Sequence, residues 1–359
     1  MIISSRKGGD CMDIKERVFL ELSLLSYFPY PYIGCSVSEM IEYIRLDNTN
    51  FEREEYRRNK EMAEGIDDDC YDTIYLYDVI DDNASSGVVC YVFLYFDYII
   101  FCFRGSEELC VNETDWQDWI DNFAMFLNKP THQQLYALTI LYQFSNDKKF
   151  YLCGHSKGGN MAQFCALTMM DTYLENLEGV YSFNSCGMQK GICDTYVHRL
   201  KDENFQHKLY IYENEYDCIS SVFTHLCSPI VIASSMPCHT INDYYHNHYL
   251  YTVVKDHEGL KRVQKKDRLP ILLEYLMQLF VKYHSKEWFE KFVAKINEYF
   301  NSNLPLQDLC QIIQYQIECA FPKMSNLSLD EILDTSIQDL WKIDNIMILI
   351  KMLCGKRNV

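Results

Sequence analysis

The sequence predicts an α/β fold built on a largely parallel sheet, and three observations carry that prediction. Short apolar runs rich in β-branched and tyrosine residues alternate with segments of helical period. One of these runs, "KFYLC", passes through Gly-His-Ser-Lys-Gly directly into a helical pattern. From Leu269 onward the strand-like runs stop and only helical period remains.

The elements follow in order. Ile14, Val18, Leu22 and Leu25 stand at helical spacing, so residues 13 to 28 read as an opening helix. Residues 47 to 72 are dominated by charge of both signs and read as a solvated helix and loop, in preference to a metal site at the Asp67-Asp68-Asp69 run. "TIYLYDVI", "VVCYVFLYF" and "YIIFCFRGS" are strands, and "DDNASSG" suits a hairpin turn between the first two. A helix from Thr131 to Phe144, the strand "KFYLC" and a helix from Gly159 to about Met170 come next. "GVYSFN", "KLYIYEN" and "PIVIASS" are the remaining strands. "ILLEYLMQLFVKY", "WFEKFVAKINEYF", "LQDLCQIIQYQIECAF" and "LWKIDNIMILIKML" then form a helical region. The expected organisation is a core over residues 1–260, with residues 261–359 packed on it or capping it.

Composition bounds the function. In 359 residues, 48% hydrophobic and 23% charged content is that of a globular chain able to bury a core. A formal net charge of −18 argues against nucleic acid and against anionic membrane surfaces as partners. No run approaches the roughly 18 apolar residues of a membrane span, and "MIISSRKGGDCMDIKERVF" lacks the apolar core of a secretory signal. The 16 cysteines form no C-x-x-C pair, and Cys90, Cys102 and Cys153 lie inside apolar runs as small hydrophobes. A reduced, cytoplasmic protein is the simplest expectation.

The chemistry centres on Ser156. A strand entering G-x-S-x-G and leaving as a helix is the setting of a nucleophile elbow. The turn is so tight that Gly154 and Gly158 must lack side chains, and Gly159 lets the helix approach the sheet. The amide of Lys157, in the first helical turn, is free to donate to an oxyanion. A serine needs a general base, and the base an orienting acid, in the chain order Ser, Asp or Glu, His. Asp217 lies in the polar turn behind "KLYIYEN" and is the favoured acid, with Glu213 and Glu215 as rivals. His239, His246 and His248 follow the next strand, and position alone does not choose among them. His257 lies farther on. The H-x-H pair has no third ligand at metal spacing. A second oxyanion donor is expected from the end of "IIFCFRGS", where the amide and hydroxyl of Ser106 are available.

"FRGS", "QDWIDNF" and "GHSKGGNMA" resemble the bacterial Mbeg1-like proteins, which are similar in turn to class 3 lipases of the α/β-hydrolase superfamily. "GHSKGGN" is the most specific piece, because Lys157 and Asn160 set it apart from the commoner G-H-S-L-G-G. The resemblance runs from "ELSLLSYFPY" into the C-terminal helices and implies an α/β-hydrolase fold. Its members tend to carry His-Asp-x-aromatic-Ser-Trp near the base. "HNHYLYTV" fits with His246 at the histidine and Tyr251 at the tryptophan, so the resemblance favours His246, with His248 second. The chain departs from the family at "NSCGM", where Asp-x-Pro-Gly-Phe is usual, and at Asn247 and Tyr251.

The expected function is a serine hydrolase for a small-molecule acyl ester or thioester, using Ser156, Asp217 and His246, with Ser106 and Lys157 holding the oxyanion. No cofactor and no metal are implied, and no stable membrane insertion. Acyl transfer to another acceptor would use the same residues. The alternative is a binding or regulatory protein on a hydrolase scaffold, which an elbow without a converging acid and histidine would favour.

Overall fold

The tyrosine-rich runs pair as their alternation requires. Strand β1 (Ile74–Asp82) lies antiparallel to β2 (Val88–Tyr95), and β3 (Tyr98–Phe103) lies antiparallel to β2. The computed structural model describes residues 16–47, 54–66, 69–106, 116–145, 147–238, 241–257, 259–283 and 285–300. From β3 onward the sheet is parallel, through β4 (Phe150–His155), β5 (Leu177–Phe183), β6 (Leu209–Asn214) and the short β7 (Ile230–Ile232). The seven strands lie in chain order, β1 to β7, across the sheet.

Each face of the sheet has its own apolar core, as strand alternation dictates. On one face Ile100 and Cys102 of β3 and Cys153 of β4 meet helices α1 (Glu16–Leu25) and α2 (Val37–Leu46) and Ala63 of α3 (Glu54–Glu64). Phe101 and Phe103 of β3 and Leu152 of β4 point the other way. There they meet α5 (His132–Phe144) and α6 (Lys157–Thr168), which follow α4 (Trp116–Ala124) in the chain. Local signals set the helix starts: Ser36 with Glu39, and Thr131 with Gln134, form reciprocal capping boxes for α2 and α5. The charged run is the solvated helix α3, with surface pairs such as Lys60–Glu64 at 3.3 Å.

Four short helices, α7 (Asp171–Leu174), α8 (Lys190–Thr195), α9 (Val197–Leu200) and α10 (Glu203–Gln206), complete the connections between the central strands. After β7 come α11 (Ile241–His246), α12 (Arg268–Tyr283) and α13 (Lys286–Phe300). α13 packs on the segment that α4 begins: the Phe289 ring stacks on Phe126 with centroids 5.7 Å apart, and Phe292 meets Phe123 edge-on at 6.1 Å. The helices expected at "LQDLCQIIQYQIECAF" and "LWKIDNIMILIKML" lie outside the described residues.

Cys90, Cys102 and Cys153 are fully buried free thiols. Burial pushes the Cys90 and Cys153 thiols well above their ordinary range, so they act as packing groups. No helix among the described residues is long and apolar enough to cross a membrane. A parallel sheet flanked by helices, with a strand–serine–helix turn at its centre, is an α/β-hydrolase fold.

Candidate active site

The elbow forms where β4 ends. Ser156 joins β4 to α6 with φ 55° and ψ −125°, a conformation that costs an L-residue roughly 1–3 kcal/mol. Its neighbours permit the turn only because they have no side chains. A Cβ on Gly154 would lie 2.5 Å from the Gly158 carbonyl carbon, and one on Gly158 would lie 2.0 Å from the Phe103 carbonyl oxygen. A Cβ on Gly159 would meet the Ser182 hydroxyl at 2.5 Å, so α6 rests on β5 at backbone distance. The Ser156 amide donates to the Phe183 carbonyl at 3.0 Å and its carbonyl accepts the Asn160 amide at 3.1 Å, which holds the strained residue from both sides.

His248 stands on that serine. Its Nε2 lies 2.8 Å from Ser156 Oγ and its Nδ1 lies 3.1 Å from Asp217 Oδ1. The carboxylate selects the tautomer: Nδ1 carries the proton toward Asp217, and Nε2 is left to accept from the Ser156 hydroxyl. Asp217 is fully buried, and its two oxygens also accept the amides of Ile219 and Ser220, each at 3.0 Å. Burial alone would raise its pKa. The charge and hydrogen bond of His248, then the Lys266 ammonium and the Ile219 amide, outweigh burial and hold the carboxyl below its ordinary value.

This placement corrects the histidine expected at the serine. His246 is the last residue of α11, and its Nδ1 meets the Tyr251 hydroxyl at 2.7 Å, with Glu55 at 3.9 Å. The segment is a helix end followed by a turn, not an extended strand, so residues two apart point to different sides. Asn247 between them accepts the Ser234 hydroxyl and donates to the Asp243 carbonyl at 2.8 Å, anchoring the turn. His239 lies outside the described residues. Of the acid's rivals, Glu213 is buried against Lys266 and His225, and Glu215 accepts the Ser234 amide at 3.0 Å. Among the described residues no three His, Cys, Asp or Glu side chains converge as a metal site requires.

The loop after β3 lies against Ser156: a Cβ on Gly105 would sit 3.1 Å from Ser156 Cβ. The Gly105 amide is occupied, because it donates to the Tyr27 hydroxyl at 3.0 Å. Asn122 of α4 donates to Ser106 Oγ at 3.1 Å, and the adjacent Asp121 pairs with the Lys157 ammonium at 2.6 Å. Both members of that ion pair are almost wholly buried. Two consecutive residues of α4 therefore fasten Ser106 and Lys157, the residue after Ser156.

His155, the variable residue before the serine, was not singled out in the sequence, although its place inside the G-x-S-x-G motif was a signal. The Tyr27 hydroxyl donates to its Nδ1 at 2.9 Å, and its Nε2 donates to the His248 carbonyl at 2.8 Å. Asn184, at φ 47°, donates to the same carbonyl at 2.9 Å. The backbone of His248 is thus held by two side chains at the ends of β4 and β5.

Burial first, and then His248, push the His155 imidazole down to about 3. Burial and then Lys266 push His225 down to about 4. In the unfolded chain both titrate near about 6.5. Between these values the unfolded state binds two more protons at these sites than the folded state does. Glu213 acts in the opposite sense, because burial raises it to about 7 in the folded state. The balance is one proton, so these groups are expected to remove about 1.4 kcal/mol of stability as pH falls from about 6 to about 5. Urea denaturation at the two pH values measures this, and equal stabilities would contradict it.

The family model described as Mbeg1-like matches residues 77–297. No curated protein matches the chain. Among solved structures the chain is similar to a fungal lipase, at 10% identity over 70% of this chain and 85% of that one, with a TM-score of 0.37. It is also similar to the mono- and diacylglycerol lipase from Aspergillus oryzae, at 12% identity over 69% and 85%, with a TM-score of 0.38.

Proposed function

The chain belongs to the Mbeg1-like family, and from that premise we propose that it is a serine hydrolase cleaving a small-molecule acyl ester or thioester. The observation that carries the reading is the hydrogen-bonded line from Asp217 through His248 to Ser156, with spacings of 3.1 and 2.8 Å. A binding protein on the same scaffold has no need of that convergence.

In the reaction Ser156 Oγ attacks the acyl carbonyl as His248 Nε2 takes the hydroxyl proton. Asp217 holds the imidazole in its tautomer and balances the imidazolium that forms. The negative charge moves to the carbonyl oxygen, where the Lys157 amide and the Ser106 amide and hydroxyl stabilise it. Collapse of the intermediate expels the alcohol or thiol, which receives the proton from His248. Water then repeats the sequence on the acyl-serine and restores the enzyme.

The test is covalent. An alkyl fluorophosphonate is expected to lose fluoride and add one phosphonyl group to Ser156 in folded protein at about pH 8, located by peptide mass spectrometry. Absence of the adduct would exclude an activated serine.

A further inference from the structure

Three ionisable side chains outside the Ser156–His248–Asp217 line, two of them buried, converge behind Asp217. Glu213 of β6 is fully buried, with Lys266 Nζ 2.5 Å from its Oε2 and His225 Nδ1 3.2 Å from its Oε1. Lys266 comes from the segment before α12, more than forty residues along the chain, yet its side chain is only 6% exposed. Its ammonium also donates to Ser220 Oγ at 2.9 Å and approaches Ser221 Oγ at 3.4 Å. Ser220 is the residue whose amide donates to Asp217 Oδ2 at 3.0 Å. The cation therefore sits one residue behind the carboxylate, on its Oδ2 side, while His248 holds Oδ1.

A buried ammonium is expensive: its desolvation costs several kcal/mol, and an ion pair often does no better than apolar residues of the same volume. Packing therefore gives no reason for a lysine here, whereas its position beside Asp217 does. We propose that Lys266 is a positioning residue: anchored on Glu213 and Ser220, its ammonium keeps Asp217 ionised and aimed at His248, and so sets how far into acid the serine remains activated. The proposal rests on the serine-hydrolase reading above. Lys266 is among the groups that hold Asp217 below its ordinary value against burial. The titratable groups around this cation are Glu213 from β6, Asp217 and Cys218 from the loop after it, and His225 from the segment leading to β7. His248 lies across Asp217, Asp267 adjoins Lys266 in the chain, and Glu274 of α12 acts on Glu213.

Removing a positive charge beside the Asp217–His248 pair favours its protonated forms, so the acidic limb of the rate profile moves to higher pH. The measurement is the second-order rate of Ser156 labelling by the fluorophosphonate as a function of pH. Lys266→Met is expected to shift the acidic limb up by about one pH unit, and Lys266→Arg to restore it, with a smaller change in the plateau rate. A residue that merely fills space would lower the plateau and leave the limb in place. If Lys266→Met does not fold, Lys266→Gln removes the charge while keeping a side-chain donor within reach of Glu213 and Ser220, and the same upward shift is expected. A limb in the wild-type position in a folded variant without charge at residue 266 overturns the proposal. Wild-type protein unlabelled at every pH overturns the hydrolase reading, and this proposal with it.

Discussion

His248→Ala is expected to lower ester hydrolysis by on the order of 10⁴- to 10⁶-fold, while His246→Ala stays within about tenfold of wild type. Among the described residues, the imidazole is the group in position to accept the Ser156 proton, since Nε2 of His248 is 2.8 Å from Oγ and His246 is turned toward Tyr251 and Glu55. Asp217→Asn belongs to the same set. An amide in place of the carboxylate turns the imidazole to the wrong tautomer, with an expected loss of about 10⁴-fold. Steady-state hydrolysis of a soluble aryl ester, with circular dichroism to confirm folding, separates the variants. A dead His246→Ala beside an active His248→Ala would reverse the assignment.

The second large effect is on stability. Lys157→Met is expected to cost about 3–5 kcal/mol, because it leaves the Asp121 carboxylate buried without its cation. Asp121 is itself fixed, since its Oδ1 accepts the Gln133 amide at 3.1 Å, so it has little freedom to turn toward water. Asp121→Asn in the Lys157→Met background removes the orphaned charge and is expected to recover most of the loss. A denaturant-based double-mutant cycle measures the coupling. Additive losses in the two single variants would show that the pair at 2.6 Å contributes no coupling. Activity gives a second readout, because the same pair ties the residue after the nucleophile to α4, whose Asn122 also holds Ser106.

Legibility in the sequence followed the range of the interactions involved. The seven strands, the helix that starts at Thr131 and the elbow at Ser156 rest on periodicity and glycines, which are local properties of a dozen residues or so. The places of Ser106 and Asp217 were legible for a related reason: each lies just after a strand, and a parallel sheet brings such loops to one edge. The histidine was not, because the family register set by Tyr251 says nothing about which way a helix end turns its side chains. Lys266 and Asp121 were illegible as well, since neither stands in a motif that names its partner.

The amino-acid order by itself determined that strand β4 must break at a strained serine. Gly154, Gly158 and Gly159 are the residues that let the Phe103 carbonyl and the Ser182 hydroxyl lie where side chains would otherwise be. Only the tertiary structure decided which histidine faces that serine and which charges stand behind the acid. Those choices depend on the directions of side chains brought together from residues 121, 156, 213, 248 and 266. Side-chain direction across such separations is set by packing and by the cost of leaving a buried polar group unpaired, and neither is encoded in any short stretch of chain.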